Sequence, residues 1–371
     1  MGLPLINRRR RVSHIGLDVG QCGLRTTQLL RRQECWNLAR TGRVDRPRRT
    51  GDEASSAPVS ADLVRRATRQ SSFGGRKVVA CLSPKDVEYH SLSLPPALLD
   101  GAREQVAQAA QFEVSHLMTM DDDRAQICHW LLPAAMGEMA NAMGIAARHD
   151  SCTEHHELIS RAGFHCIALD ADACALSRFG SLLKPRGENA VWGVLDLGAT
   201  ATRLVVCVGD TPVLVREVGP GGAQWNGALA EALHISEAAA EVHKKDHGIA
   251  LSSRGVRQGE STVPAGELAG IVFGVLRADL KKLAGQIKRS YEYVLSRFPQ
   301  GKAEDLVMVG SGALMPNLDQ YLADTLGIVA RRASAYIGEP SCRLQCSLSK
   351  RDTLEEFAMS VGLALWPEHA A

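Results

Sequence analysis

The chain has 371 residues, of which 45% are hydrophobic and 23% are charged, and its formal net charge is +2. This composition is typical of a globular protein and excludes disordered and fibrous classes, and the length allows two or three domains. The small net charge argues neither for nor against nucleic acid, and we expect no nucleic-acid partner. No apolar run approaches the roughly 18 to 20 residues that a membrane span needs. No apolar segment follows Arg8–Arg11, as a secretory signal would require. We therefore expect a cytoplasmic protein without a direct membrane span.

The first half of the chain predicts strands and helices around one long polar loop. Residues 1–11 have the composition of a flexible basic tail, and residues 41–60 that of a loop rich in Arg, Pro, Gly and Ser. Hydrophobic periodicity and turn signals predict the remaining elements. The strands are Val12–Val19, Gly23–Leu30, Glu34–Leu38, Lys77–Leu82, Gln126–Leu132, Met139–Arg148 and His165–Leu169. The helices are Ala61–Gln70, Ala97–Phe112, Cys152–Ala162 and Asp172–Leu183.

The second half repeats this alternation. A hairpin begins near Gly193 and continues into Val213–Val218, and a polar loop covers Gly248–Ser261. The predicted helices are Ala228–His247, Glu267–Phe298, Asn317–Leu326 and Thr353–Leu365, with strands at Asp305–Val309 and Ile328–Arg331. Two alternating halves indicate an α/β architecture with mixed sheets.

Each half begins with an Asp-x-Gly turn inside a strand-turn-strand pattern. Asp18 and Gly20 form the first turn, and Asp196 and Gly198 the second. Glycine permits the backbone angles of such turns and lets amide groups approach an anion. An aspartate at the strand end can hold Mg²⁺ beside a phosphate, directly or through water. Each Asp could instead simply cap a hairpin turn, but two such turns suggest a duplicated domain that closes over one nucleotide.

Five motifs in order resemble the actin, Hsp70 and sugar-kinase superfamily. They are a phosphate-1 loop at 15–26, a connect-1 helix at Asp170–Phe179, a phosphate-2 loop at 194–204, an adenosine loop at Val307–Leu318 and a connect-2 helix at 354–365. The resemblance implies a duplicated actin-like (ribonuclease H-like) ATPase fold. Two lobes would surround a nucleotide cleft, and a small α+β subdomain would be inserted.

Within that superfamily, four segments resemble the PilM family of type IV pilus assembly proteins. They are Arg216-Glu217-Val218-Gly219-Pro220-Gly221-Gly222, the helix Glu237–Lys244, the segment Gln286-Ile287-Lys288-Arg289-Ser290-Tyr291, and Ser93-Leu94-Pro95 with the helix that follows it. The resemblance runs from Val12 to Trp366. It implies lobe I at 12–97, 164–190 and 353–371, an inserted subdomain (1C-like) at 98–163, and lobe II at 191–352 with 219–300 as its outer subdomain.

The resemblance also implies the residues that bind ATP and Mg²⁺. Asp18 and Asp196 would face each other and organise Mg²⁺ through water. Backbone and side-chain donors would contact the phosphates at Gly20, Gln21, Cys22, Gly23, Arg25, Gly198, Ala199, Thr200, Thr202, Gly221 and Gly222. Ribose and adenine would contact Glu241, Lys244, Gly310, Ser311, Gly312 and Met315. Glu241 and Lys244 share a helix face, and their alternative interpretation is a solvated charge pair.

Hydrolysis is the least specified part of the site. Asp172 begins the connect-1 helix and is the candidate catalytic base, although an aspartate there is also natural as a helix cap and then needs no catalytic role. Several positions depart from the family pattern: Gln21-Cys22 replaces small hydroxyl residues, Arg25 replaces Lys, Gly310-Ser311-Gly312 replaces a Gly-Gly pair, and Asn226 replaces Thr. We therefore expect ATP binding with weak or no ATPase activity.

The resemblance implies a cytoplasmic scaffold recruited to the inner face of the cytoplasmic membrane. Its partner would be the N-terminal cytoplasmic tail of a bitopic, PilN-like inner-membrane protein, and nucleotide would tune that interaction. Self-association is left open. Two alternatives are an FtsA-like filament protein that tethers a division assembly and a small-molecule kinase of the same fold. The cytoplasmic domain of a type II secretion protein L is a related possibility.

Overall fold

A computed structural model describes residues 12–46, 59–99, 102–120, 124–133, 141–251 and 265–367. The tail predicted at 1–11 lies outside the described residues, as does most of each loop predicted at 41–60 and at 248–261. Within the described ranges, no helix is long and apolar enough to cross a membrane.

The described residues form strands and helices that alternate along the chain. The strands are β1 (Ile15–Gly20), β2 (Gly23–Arg32), β3 (Cys35–Asp45), β4 (Lys77–Cys81), β5 (Val87–Leu92), β6 (Gln126–Leu131), β7 (Ala142–Ala147), β8 (His165–Asp170), β9 (Ala190–Leu197), β10 (Ala201–Val208), β11 (Thr211–Pro220), β12 (Lys302–Val309), β13 (Val329–Arg332) and β14 (Leu344–Cys346). The helices are α1 (Ala61–Arg69), α2 (Pro96–Leu99), α3 (Arg103–Leu117), α4 (His149–Arg161), α5 (Asp172–Leu183), α6 (Gly222–Leu233), α7 (Glu237–His247), α8 (Ala265–Arg297), α9 (Leu318–Leu326) and α10 (Leu354–Ala364).

Two sheets repeat one topology. The lobe I sheet has the order β14-β3-β2-β1-β4-β8, and the lobe II sheet has the order β11-β10-β9-β12-β13. In each, an antiparallel meander (β1-β2-β3 or β9-β10-β11) is followed by two parallel strands (β4 and β8, or β12 and β13). Strand β14 adds a parallel edge strand to lobe I only. The predicted duplication is therefore present in the strand order.

Helices α5 and α10 form a central helix layer between the two sheets. Phe179 of α5 and Phe357 of α10 are fully buried in one cluster with Trp192 of β9 and Val307 of β12. Because β9 is covered on both faces, its side chains are apolar on both, as expected for an interior strand. The layer thus ties the first strands of the two lobes to one rigid core.

Further helices cover the outer face of each sheet. Helices α6, α8 and α9 pack on the lobe II sheet around Leu204, Leu280 and Leu322. Helices α1 and α4 pack on the lobe I sheet around Ile15 and Ile159. A third, antiparallel sheet, β5-β7-β6, packs against α3 and forms the core of the inserted subdomain.

Three differences between the structure and the sequence-based elements have a clear local cause. The helix predicted at Ala97–Phe112 consists of α2 and α3, and α3 begins after the extended residue Ala102. The helix predicted at Ala228–His247 is two helices, because His234 adopts a left-handed conformation (φ 53°) and the Ser236 hydroxyl accepts a hydrogen bond from the Ala239 amide at 3.2 Å. Strand β3 continues to Asp45, into the predicted loop, because it pairs with β2 along its length.

Three elements pair or pack with a different part of the protein from the one in which the predicted domain bounds place them. Strand β5, predicted within lobe I, pairs with β7 of the inserted sheet. Helix α4, predicted within the inserted subdomain, packs on the lobe I sheet, where Ile159 is buried. Strand β14, predicted within lobe II, pairs with β3 of the lobe I sheet.

Glycines allow the central helix layer to pack closely. A Cβ at Gly362 of α10 would lie 1.9 Å from the Ala175 carbonyl oxygen of α5, and a Cβ at Gly16 of β1 would lie 1.9 Å from the Ser360 carbonyl oxygen of α10. Real side chains do not approach backbone atoms this closely. Both contacts therefore require glycine.

We predict that Gly362→Ala lowers the free energy of unfolding by about 1–3 kcal/mol, because the new methyl group overpacks the α5–α10 contact. Gly274→Ala is a matched control, since Gly274 is an exposed helix residue with no atom within 4 Å of an added Cβ. Alanine there raises helix propensity and stabilises by up to about 1 kcal/mol. Urea unfolding of both variants tests the opposite signs, and equal effects would contradict the packing argument.

Candidate functional site

Two equivalent hairpins meet at one cavity between the lobes. Gly20 pairs with Gly23 at the end of the β1–β2 hairpin, and Leu197 pairs with Thr202 in the β9–β10 hairpin. The cavity has a volume of about 300 Å³, at the lower end of the range for small-molecule sites, and Asp18 and Asp196 both line it. The duplicated topology therefore brings one Asp-Gly turn from each lobe to the same space.

Thirteen of the twenty predicted site residues line this cavity. They are Asp18, Gly20, Gln21, Cys22, Gly23, Arg25, Asp172, Asp196, Gly198, Ala199, Thr200, Gly310 and Ser311. The seven other predicted residues, Thr202, Gly221, Gly222, Glu241, Lys244, Gly312 and Met315, are not among its lining residues.

Three of the seven support the second hairpin from behind. The Thr202 side chain is buried, and its hydroxyl donates to the Pro220 carbonyl at 2.6 Å. The Gly222 amide donates to the Gly198 carbonyl at 2.9 Å, and the Gly221 amide donates to the Gln224 side chain at 2.9 Å. A Cβ at Gly221 would lie 2.4 Å from the Ala199 carbonyl oxygen. The Gly-Gly pair therefore lets α6 approach the hairpin.

Glu241 and Lys244 both contact the Asn226 side chain. Lys244 is buried, and its Nζ donates to the Asn226 side-chain oxygen at 2.6 Å and to the Gly222 carbonyl at 3.1 Å. Glu241 pairs with Lys245 at 2.8 Å. Their alternative interpretation as a solvated charge pair is therefore wrong for Lys244, which fixes the start of α6. The spacing between Glu241 and Lys244 along the helix did not indicate that Lys244 is buried.

The adenosine-loop residues approach Asp196 through backbone. Gly310 has a φ of 81°, and a Cβ there would lie 2.6 Å from Asp196 Oδ1. Gly312 packs against Leu197, and Met315 is buried in the lobe II core. Glycine at position 310 thus serves both a left-handed conformation and a close approach to the carboxylate.

Burial and nearby negative charges raise the pKa of both aspartates that line the cavity. Burial raises the pKa of Asp18 to about 7, the negative charge of Asp196 contributes to this rise, and Arg25 opposes both effects. Burial raises the pKa of Asp196 to about 6, with Arg203 lowering it and Asp172 raising it. Two carboxylates that resist ionisation next to one cavity are a typical signature of a cation-dependent or catalytic site.

An arginine stands opposite each aspartate in the hairpin register. Arg25 is the partner of Asp18, and Arg203 is the partner of Asp196. Arg25 Nη2 also forms ion pairs with Asp45 at 3.1 Å and with Glu356 at 3.3 Å. Arg203 forms an ion pair with Asp172. Both guanidinium groups are therefore shared with other carboxylates and only partly compensate the charges at the cavity.

Asp172 is engaged at both carboxylate oxygens. Oδ1 accepts hydrogen bonds from the Tyr89 hydroxyl and from the Ala173 amide at 2.8 Å, and Oδ2 pairs with Arg203. Helix α5 begins at Asp172 and its capping residue is Ala171, so Asp172 is not the cap itself. A base must have a free oxygen within reach of the proton it accepts. The geometry therefore favours a positioning role for Asp172.

Sequence reasoning missed several cavity residues. Besides Arg203, they include Ser83 and Lys85 after β4, Glu217 of β11, and Glu355 and Glu356 of α10. The Asp-to-Arg spacing that repeats in the two hairpins could have revealed Arg203. The others reach the cavity only through long-range packing, which leaves no local pattern.

A family model for the type IV pilus assembly protein PilM matches residues 16–254, and one for the cell-division protein FtsA matches residues 193–362. The first match covers more than half of the sequence. The chain belongs to the PilM family. The predicted family membership is thereby confirmed. Comparison with curated proteins gave no match.

One of the solved structures that align with this chain shows the same fold. A structure described as the PilM-PilN type IV pilus biogenesis complex aligns with a TM-score of 0.73 at 22% identity, covering 96% of this chain and 98% of that chain. The ethanolamine utilization protein EutJ from Carboxydothermus hydrogenoformans aligns at 0.49 and 12% identity, covering 96% and 90%. A glycerol dehydratase reactivase aligns at 0.48 and 11% identity, covering 95% and 99%. The predicted duplicated actin-like fold with two lobes is confirmed.

The raised pKa values predict a stability that falls as pH rises in metal-free buffer. Between pH 4 and 7 the folded Asp18 binds a proton that the unfolded chain has already released, because an ordinary aspartate has a pKa of 3.8. Asp18→Asn removes this effect. With a folded pKa of about 7 for Asp18, the variant should gain about 3 kcal/mol relative to wild type between pH 4.5 and 7.5.

Urea unfolding with chelator at both pH values measures this difference. Asp246→Asn, at an exposed carboxylate of α7, is the control and should show no such trend. An Asp18→Asn curve parallel to wild type would contradict the proposed origin of the shift.

Proposed function

We propose that this PilM-family protein is an ATP-binding scaffold of type IV pilus machinery, or of a related secretion machine. It binds the short N-terminal cytoplasmic tail of a membrane-anchored partner, and nucleotide tunes that interaction. The observation that carries the proposal is the convergence of the two Asp-Gly hairpins on one cavity. It is supported by the family match over residues 16–254.

The residues at the cavity fit a nucleotide with Mg²⁺. The Asp18 and Asp196 carboxylates both line the cavity, and Mg²⁺ prefers such oxygen ligands. Asp18 and Asp196 would hold Mg²⁺ through water, and the amides of the turns at Gly20–Gly23 and Gly198–Thr200 would bind phosphate oxygens. Bound Mg²⁺ neutralises phosphate charge.

The residues predicted to contact ribose and adenine lie at different distances from the cavity. Gly310 and Ser311 line the cavity, so the adenosine loop would contact the nucleotide with backbone. Glu241, Gly312 and Met315 lie further from this space, and a role for them would depend on how far the base extends. Thr202, Gly221, Gly222 and Lys244 would act by holding the second hairpin in place.

We expect weak ATP hydrolysis because the Asp172 carboxylate is already bound by other side chains. Positioning and charge stabilisation dominate phosphoryl transfer, and a group must orient the attacking water. Asp172 is held by Tyr89 and Arg203, which leaves it poorly suited to that task. ATP would therefore be a structural ligand that sets the affinity of the protein for its partner.

The proposed partner is inferred from one of the aligned structures. That neighbour is described as a complex of PilM with PilN, and it aligns over 96% of this chain. By analogy, a PilN-like bitopic protein of the inner membrane would present its N-terminal tail to this chain. A short extended peptide can dock by strand addition or in an apolar groove. Such capture would recruit the protein to the inner face of the cytoplasmic membrane.

We predict that the chain binds Mg·ATP in calorimetry with negligible phosphate release from the same sample. Asp196→Asn should weaken binding at least about tenfold, because one of the two cation-facing carboxylates is lost. Asp246→Asn should bind like wild type. Absence of heat from wild type would contradict nucleotide binding, and rapid phosphate release would contradict the assignment of a structural ligand.

We predict that a fluorescent peptide with the N-terminal cytoplasmic sequence of the PilN-like protein from the same organism binds this chain, and that Mg·ATP changes its dissociation constant. Fluorescence anisotropy with and without Mg·ATP measures both effects. A scrambled peptide is the control. If the chain binds ATP and ignores the peptide, the scaffold part of the proposal is wrong.

An FtsA-like filament protein is the second candidate, because the FtsA family model matches residues 193–362. Electron microscopy of the protein with Mg·ATP and lipid separates the two. Filaments on lipid would favour this candidate, and dispersed particles would favour the scaffold.

A further inference from the structure

A chain of polar contacts links the cavity to the inserted subdomain. The Tyr89 hydroxyl of β5 donates to Asp172 Oδ1 of α5, and Asp172 Oδ2 pairs with Arg203 Nη1 of β10. Tyr89 belongs to the inserted sheet, Asp172 to the central helix layer and Arg203 to the lobe II sheet. Three parts of the protein therefore meet at one carboxylate.

The carboxylate at the centre of this chain of contacts is largely shielded from water. Asp172 is only 6% exposed. Burial and the neighbouring Asp172 charge hold the pKa of the Tyr89 hydroxyl well above its usual value, so Tyr89 remains a donor at any physiological pH. Hydrogen bonds to a charged group are stronger than neutral ones, and those of a desolvated group are costly to break. The link is thus tight enough to transmit a displacement.

A second contact joins the inserted sheet to lobe II. Trp130 Nε1 of β6 donates to the Pro212 carbonyl of β11 at 2.9 Å. Trp130 packs edge-on against Tyr89, with ring centroids 6.4 Å apart. Leu132 and Met143 are buried in the same cluster as the lobe II core. The inserted sheet therefore rests on lobe II next to the Tyr89–Asp172 contact.

The other end of the chain of contacts faces the cavity. Arg203 is opposite Asp196 in the β9–β10 register, and Arg203, Asp172 and Asp196 all line the cavity. The Arg203 charge lowers the pKa of Asp196, so Arg203 is attracted to both carboxylates. Neutralising the charge at Asp196 would leave Asp172 as the main partner of Arg203 and would strengthen the Arg203–Asp172–Tyr89 contacts.

We propose that Arg203, Asp172 and Tyr89 are positioning residues that couple occupancy of the cavity to the placement of the inserted subdomain on lobe II. The inference rests on the proposed function and names the residues through which nucleotide acts on the rest of the protein. A ligand shifts a conformational equilibrium only through a different interaction with its two states, and Arg203 supplies that difference. Coupling between sites of this kind typically amounts to about 5- to 150-fold.

Hydrogen–deuterium exchange of the full chain, with and without Mg·ATP, tests the coupling. In wild type, Mg·ATP should slow exchange in the β1–β2 and β9–β10 hairpins, and also at least about fivefold in β5, β6 and β7. Tyr89→Phe removes one hydroxyl, keeps the ring that packs on Trp130, and does not line the cavity. It should keep the hairpin response and lose that of the inserted sheet.

Two further variants complete the test. Tyr321→Phe removes a hydroxyl from α9, outside this chain of contacts, and should behave as wild type. Trp130→Phe removes the hydrogen bond to Pro212 and should reduce the response of the inserted sheet without affecting the hairpins. Trp130→Phe also tests the coupling independently if Tyr89→Phe is unstable.

The outcomes separate the two proposals. If the hairpins respond in wild type and the inserted sheet does not, or responds equally in Tyr89→Phe, the coupling is overturned and nucleotide binding stands. If Mg·ATP changes exchange nowhere in wild type, nucleotide binding itself is overturned, and the coupling with it.

Discussion

The repulsion between two aspartates that line one cavity is the constraint on which the site depends. Asp18 and Asp196 lie near the ends of equivalent strands, and burial together with repulsion raises the pKa of Asp18 to about 7. A fold that only needed stability would separate these charges or pair them fully. Here the nearby arginines are shared with other carboxylates, so the repulsion persists. An unrelieved pair of this kind is expected where a cation or an anionic ligand with a cation is to be bound.

The central helix layer makes this arrangement rigid. Gly16 and Gly362 let α10 contact β1 and α5 at backbone distance, so the first strand of lobe I has little freedom to retreat. The adenosine loop is held in the same way, since the Gly310 amide donates to the Glu355 carbonyl of α10 at 2.9 Å. Close packing of backbone against backbone leaves few ways for the aspartates to relax apart. The electrostatic strain at the cavity is therefore compensated by apolar burial in this layer.

Local signals predicted from sequence the parts of the fold that short segments determine. Both Asp-Gly hairpins and the bounds of α5 are correct because turn residues and helical periodicity are encoded nearby in the chain. Strand β14 was missed because three residues on a sheet edge carry no periodicity. The break between α6 and α7 had a local signal, a Ser236 cap, which an apolar run obscured. The sequence predicted Lys244 as a nucleotide contact, with a solvated charge as the alternative, and only tertiary contacts with Gly222 and Asn226 explain its burial.

The two cavity arginines show how a duplicated fold becomes asymmetric. Arg25 and Arg203 occupy the same place in their hairpins, yet their second partners differ. Arg25 pairs with Asp45 of its own sheet and with Glu356 of α10, which is fixed to that sheet by the glycine contacts. Arg203 pairs with Asp172, whose other oxygen binds the inserted subdomain. Arg25 is therefore held in place when the charge at the cavity changes. Arg203 is connected through Asp172 to the inserted subdomain, so we expect any conformational response to pass through lobe II.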